Sequence, residues 1–169
     1  MNNILKKALR AVALASLPAS CIIAPTNSLA TITCTITCTN IVFTSFNPYD
    51  STFERANGSI TVRCSNSVNS STSLTYYIGA INGNSTNYSA RVAKNGTNSL
   101  SYNIYIDSNY TQILGDTSNG TSYITQSYTL AGNGSRTDNY TVYGKVPVQP
   151  TAKPMTYTDT LTCGVVYNY

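Results

Sequence analysis

Residues 156–169, TYTDTLTCGVVYNY, alternate apolar and polar side chains with the period of a β-strand. One face is mainly threonine, and the other carries the large side chains Tyr157, Leu161, Cys163, Val165, Tyr167 and Tyr169. The pattern predicts a strand that buries one face and runs to the last residue. An unpaired strand edge exposes backbone N–H and C=O groups, which proteins either cover or use to bind another chain. We hypothesise that another chain binds along this edge.

The first thirty residues predict an export signal that is removed. Three basic residues among the first ten precede an apolar run that ends at residue 24, and Ser28-Leu29-Ala30 places small residues where signal peptidase requires them. The run is too short for a good membrane span. We expect cleavage of 1–30, which leaves 31–169 as one exported domain. Cleavage near Ala19 is the alternative and would leave a short N-terminal extension.

The charge balance argues against a nucleic-acid partner. The whole chain has 10 Lys and Arg against 6 Asp and Glu, a formal net charge of +4. Lys6, Lys7 and Arg10 belong to the predicted leader, so seven basic and six acidic residues remain and the net charge falls to +1. No basic patch suited to nucleic acid survives. A polar, weakly charged surface is typical of an extracellular β-protein, and we expect export through the periplasm.

Catalytic chemistry finds little support in the sequence. The chain has no histidine, and its acids mostly stand beside turn-forming residues, at Asp50, Glu54, Asp107, Asp116, Asp138 and Asp159. Isolated turn carboxylates are usually solvated or local caps, and a serine without a base partner is a surface hydroxyl. No phosphate loop or dinucleotide fingerprint occurs. We therefore predict no enzyme activity, no cofactor, no metal and no small-molecule substrate.

The cysteines predict two disulfides. Cleavage leaves Cys34, Cys38, Cys64 and Cys163, an even number in an exported chain. In an extended segment Cys34 and Cys38 share a face but lie roughly 13 Å apart, which is too far for a disulfide. Each must then pair with either Cys64 or Cys163, and the spacing leaves both connectivities open.

Short alternating runs recur along the rest of the chain and predict an all-β fold. They lie at 31–38, 41–46, 58–64, 74–81, 91–93, 100–107, 110–114, 122–130 and 140–148. Turn residues separate them, and Asn95-Gly96 is a strong hairpin signal. No window has a sustained helical period. About seven strands at intervals of roughly ten residues favour a single antiparallel β-sandwich over a barrel.

Several sequence blocks, in a fixed order, point to a known family. They are Cys34 with Phe43 nine positions later, Phe46-Asn47-Pro48, GSITVRC at 58–64, Arg91, LSYNIYID at 100–107, Gly115-Asp116, VYGKVP at 142–147 and YTDTL at 157–161. Together they resemble the spore coat protein U domain, a module also found in archaic chaperone–usher pilus subunits. The chain departs from that pattern at Leu114, where tryptophan is usual, and at Thr44, where glycine is usual.

The resemblance implies an immunoglobulin-like sandwich that lacks its last strand. In such pilins a periplasmic chaperone fills the vacancy first, and the N-terminal extension of a neighbouring pilin subunit fills it at the outer-membrane usher. It also implies the disulfides Cys34–Cys64 and Cys38–Cys163. The final strand would form one wall of the acceptor groove, lined by Leu161, Val165, Tyr167 and Tyr169.

The implied function is a structural subunit of an extracellular fimbria that serves adhesion and biofilm formation. Cleavage after Ala30 leaves three residues before Cys34, too few to donate a strand. Either cleavage is earlier, near Ala19, and leaves a poorly alternating extension, or the subunit accepts a strand without donating one. One alternative is a self-contained coat or surface protein whose own residues close the groove. Another is a carbohydrate-binding β-sandwich that uses exposed tyrosines.

Overall fold

The computed structural model describes residues 31–44, 46–80, 83–85 and 87–169. The predicted leader, 1–30, lies outside the described residues. Eight strands and one short 3-10 turn, Ser118–Gly120, form the described chain. The strands are β1 (Ile32–Cys38), β2 (Glu54–Asn66), β3 (Thr72–Ala80), β4 (Arg91–Asn95), β5 (Asn98–Tyr105), β6 (Ile124–Leu130), β7 (Ser135–Val146) and β8 (Cys163–Asn168).

The strands form two antiparallel sheets. The first has the order β1-β2-β7-β5-β4 and the second the order β6-β3-β8. The predicted hairpin is present between β4 and β5, where Gly96 takes the left-handed conformation with φ 57°. The all-β class and the two-sheet arrangement are therefore confirmed.

The core lies between the two sheets and follows the predicted alternation. Ile60 and Val62 of β2 face Leu74, Tyr76 and Ile78 of β3, and all five are at most 3% exposed. Burial of each such side chain stabilises the fold by about 1.5–3 kcal/mol. The central strands thus supply the well-buried interior on which the outer strands pack.

The described residues of the predicted run at 41–46 are not in a strand, and the alternation there has another cause. A side chain added at Gly144 would come within 2.7 Å of both Ile41 and Phe43, and one at Gly58 within 2.7 Å of Ile41. The two glycines therefore leave room for this segment to cross the inner face of the first sheet, where Ile41 packs against the core.

The predicted final strand is too long at both ends. Only Cys163–Asn168 is strand, because the preceding segment belongs to the other sheet: Thr158 and Lys94 of β4 exchange two backbone hydrogen bonds of 2.8 and 3.0 Å. The chain then crosses to the second sheet. The run 110–114 also fails as a strand, since Tyr110 has a φ of 58° and only single bridges follow at Ile113 and Leu114.

Candidate strand-acceptor edge

Two disulfides fix the position of β1. Cys34 is bonded to Cys64, its register partner on β2, and their Cα atoms are 4.1 Å apart. Cys38 is bonded to Cys163, with Cα atoms 6.7 Å apart, which joins the edge of the first sheet to the edge strand β8 of the second. This connectivity is the one that the family resemblance implied.

The outer edge of β1 carries unpaired backbone groups. Thr39 N donates to Ser59 O and Ser67 N donates to Thr31 O, so the odd-numbered residues make the ladder to β2. In an antiparallel ladder the residues between them direct N–H and C=O the other way. No described residue bonds to the backbone there. The residues with outward-facing backbone groups are Ile32, Cys34, Ile36 and Cys38.

Strand β8 has a second open edge. It pairs with β3 on one side, and no described residue pairs with its other side. Val165 lies opposite Ile78 and Tyr167 opposite Tyr76. These partners on β3 are 0% exposed, whereas Val165 and Tyr167 are only half-buried against the core. The core is therefore less well covered at β8 than at β3.

The other two predicted groove residues flank β8 rather than lie in it. Leu161 precedes the strand and packs half-buried against the core. Tyr169 follows the strand and is 61% exposed, with its ring stacked on Tyr167 at a centroid distance of 6.2 Å. The structure therefore places Val165 and Tyr167 on the inner face of the edge strand itself. Sequence reasoning omitted Ile36 and Cys38, although the alternation of 32–38 places them on one face.

On the opposite side of the sandwich the edge of the first sheet is covered, whereas among the described residues β6 of the second sheet pairs only with β3. Beyond the Lys94–Thr158 bridge, Leu114 N donates to Ile104 O of β5, and Gly115 N donates to Ser122 O just before β6. The segment between β5 and β6 thus bonds to the first sheet and leads into the second. Open edges at β1 and β8 therefore contrast with a bonded edge at β4 and β5.

Arg91 holds that covered side together from within. Its side chain is fully buried and donates to Leu114 O at 2.8 Å, Asn103 Oδ1 at 2.6 Å and Tyr88 O at 3.0 Å. Burial lowers the pKa of the guanidinium by removing it from water, and no described carboxylate forms an ion pair with it. Only the family resemblance singled out Arg91, because an arginine in an edge strand otherwise predicts an exposed side chain.

A network of tyrosines and one carboxylate lies behind β8. Tyr76 is fully buried, and its hydroxyl donates to Asp138 Oδ2 at 2.7 Å and lies 2.6 Å from the hydroxyl of Tyr140. Burial, together with these hydrogen bonds, raises the pKa of Tyr76.

The core-facing side chains of β1 and β8 carry no charge. The space between these two strand edges therefore suits an extended apolar segment rather than an ionic ligand.

A scan against protein families matches residues 12–164 to the Spore Coat Protein U domain. This domain is associated generally with chaperone–usher pilus subunits, and its family is a structural pilus or coat family rather than an enzyme family. No curated protein is significantly similar to the chain. In the part of the chain that the structure describes, no helix is long and apolar enough to span a bilayer. The family match covers most of the sequence, and the chain belongs to the Spore Coat Protein U domain family.

Proposed function

We propose that the chain is a structural subunit of an extracellular fimbria that accepts a β-strand from another polypeptide between β1 and β8. The observation that carries the proposal is a pair of strand edges, one in each sheet, with which no described residue pairs and which Cys38–Cys163 joins at one end. Family membership supports the same function. Attachment to surfaces and biofilm formation would follow from the fibre.

The chemistry of this edge fits strand addition. An incoming strand gains main-chain hydrogen bonds from the outward groups of Cys34 and Ile36, and its alternate side chains cover Ile36, Val165 and Tyr167. Backbone bonding does not depend on sequence, whereas the apolar contacts select for alternating apolar residues. The expected occupants are a periplasmic pilus chaperone first and then a neighbouring subunit at an outer-membrane usher.

A proline substitution on β1 tests the proposal. Ile36 N–H takes no part in the β1–β2 ladder, so Ile36→Pro removes a donor only from the open edge. Ile36→Ala is the matched control, because it removes the same apolar contact but keeps the N–H. We expect the proline variant to lose co-purification with the chaperone of its assembly system and the alanine variant to retain most of it.

The same experiment distinguishes the fibre-subunit hypothesis from the alternative of a self-contained coat protein. Equal co-purification of the two variants would contradict strand addition along β1. Secretion of an unmodified monomer that never binds the chaperone would instead favour a sandwich closed by its own residues.

A further inference from the structure

An aromatic cluster with two cations lies on the outer face of the first sheet. Tyr110 is its centre and packs edge-to-face on three rings, with centroid distances of 5.4 Å to Phe53, 5.4 Å to Tyr105 and 6.4 Å to Tyr143. We call this set the cationic aromatic cluster, and its members are Phe53, Arg55, Tyr105, Tyr110, Tyr143 and Lys145.

The two cations of the cluster have no counter-ion among the side chains that the structure describes. Arg55 and Lys145 are register partners on β2 and β7, and they lie 4.9 and 4.4 Å from the centroid of the same ring, Phe53. Like charges directly opposite each other destabilise a sheet. Among the described residues neither cation forms an ion pair with a carboxylate. The pair therefore provides a site for an external anion.

A strained turn presents the central ring. Tyr110 has a φ of 58°, a conformation that bulky residues rarely adopt and that the surrounding structure must enforce. The carboxylate of Asp107 enforces it by accepting backbone hydrogen bonds from Thr111 at 3.1 Å and Gln112 at 2.7 Å. Such strain is concentrated at binding sites, which makes Tyr110 a candidate ligand contact.

A cleft of about 340 Å³ adjoins the cluster. Its lining combines a guanidinium, an amide, hydroxyls and aromatic rings, supplied by Arg55, Ala56, Asn57, Ser108, Tyr110 and Tyr143. Lys145 is not part of the lining but is the register partner of Arg55 and lies 5.4 Å from the centroid of the Tyr110 ring. We propose that this cleft binds an acidic polysaccharide, with one uronic-acid carboxylate on Arg55, another on the adjacent Lys145 and a sugar ring against Tyr110.

The lining favours a sugar over other acidic polymers. A guanidinium binds carboxylate in a bidentate manner, and an aromatic ring with a polar tip matches a sugar that has both C–H faces and hydroxyls. A nucleic acid would need a longer track of cations for its phosphates than this pair provides. The cluster lies on the opposite face of the first sheet from the core, so the inference goes beyond strand acceptance and does not depend on it.

Calorimetric titration of the full disulfide-bonded chain with oligogalacturonate tests the inference. Arg55→Gln/Lys145→Gln should weaken binding at least about tenfold, because both carboxylate contacts are lost. Lys94→Gln/Lys153→Gln removes the same charge from exposed residues elsewhere and should change binding less than about twofold. Tyr110→Leu, which keeps every charge, should weaken binding about fivefold or more.

Three results would overturn the inference. The wild-type chain could show no saturable binding to oligogalacturonate. The two double variants, each with a melting temperature near that of the wild type, could weaken binding equally. Polyglutamate or oligothymidylate of similar charge could bind as tightly as the sugar, which would assign the cleft to an acidic polypeptide or a nucleic acid.

Discussion

Arg91 shows how one buried residue joins the segments on one side of the sandwich. Its guanidinium is bonded to a carbonyl before β4, to an amide on β5 and to a carbonyl in the segment that leads to β6. The three acceptors are Tyr88 O, Asn103 Oδ1 and Leu114 O, and no single neutral side chain could satisfy all of them. The buried charge therefore anchors the loops that cover this side.

Replacement of Arg91 should destabilise the domain strongly. Arg91→Met keeps much of the apolar stem but removes the donor to Leu114 O and Tyr88 O, each at a cost of about 1–3 kcal/mol, and leaves Asn103 Oδ1 with only the N–H of Ile104. We expect a loss of roughly 3 kcal/mol or more in the free energy of unfolding, measured by urea titration. Lys94→Met on the same strand is the control and should change stability by less than about 0.5 kcal/mol. A similar small change for Arg91→Met would refute this role.

Tyr76 should make the fold sensitive to alkali. Burial raises its pKa above 10.0, the ordinary value for tyrosine. The unfolded chain therefore releases this proton at a lower pH than the folded chain, and the stability from Tyr76 is present below about pH 10 and lost as the pH rises towards the folded pKa. Melting temperatures should fall from about pH 10 upwards. The melting temperature of Tyr76→Phe should fall less steeply with pH than that of the wild type. Tyr49→Phe, at an 81% exposed position, is the control and should follow the wild type. Equal slopes for the wild type and both variants would contradict the assignment.

At the scale of elements, the sequence predicted strands well where alternation reflects one continuous pairing. The cysteine strand became β1, and the run around Leu100 and Ile104 became β5. Alternation gave a wrong strand prediction where one segment pairs with two different strands along its length. Thr158 bonds to β4 and Val165 pairs in β8, so the pattern of 156–169 belongs to two sheets.

Other features could not be predicted from the sequence, because they depend on residues that are far apart in the chain. The segment 41–44 crosses the sheet because Gly58 and Gly144, far apart in sequence, leave space for Ile41 and Phe43. The open backbone of β1 follows from which residues of the β1–β2 ladder are bonded, and a single sequence does not give that register. The composition of the candidate edge was predictable in part, since Val165 and Tyr167 fall on the inner face of their strand.

The two disulfides should contribute unequally to stability. Cys34 and Cys64 are 30 residues apart, and Cys38 and Cys163 are 125 apart. Loop-closure entropy predicts stabilisation of roughly 3.5 kcal/mol for the shorter loop and roughly 5 kcal/mol for the longer one. Urea unfolding of the two double cysteine-to-alanine variants should therefore show the larger loss for Cys38→Ala/Cys163→Ala. A larger loss for the other pair would argue that β1 is held mainly by its bond to β2.

At the scale of the whole molecule, the two sides of the sandwich differ in how their edges are treated. On one side, loops that bond to β4 and β5 cover the edge of the first sheet, and Arg91 fixes them. The disulfide Cys38–Cys163 spans the other side, where no described residue pairs with the outer edges of β1 and β8 and where Ile36, Val165 and Tyr167 are only half-buried. An exposed apolar edge promotes association, so this asymmetry indicates where another chain would add.

Amide hydrogen exchange along β1 tests this account most directly. In the isolated disulfide-bonded chain the amides of Thr33, Thr35 and Thr37 should exchange slowly, because they bond to β2, and those of Cys34 and Ile36 should exchange rapidly. In the assembled fibre all five should be slow, since the added strand accepts the outward N–H groups. Slow exchange of Cys34 and Ile36 in the isolated chain would show that the edge is already closed and would contradict strand acceptance.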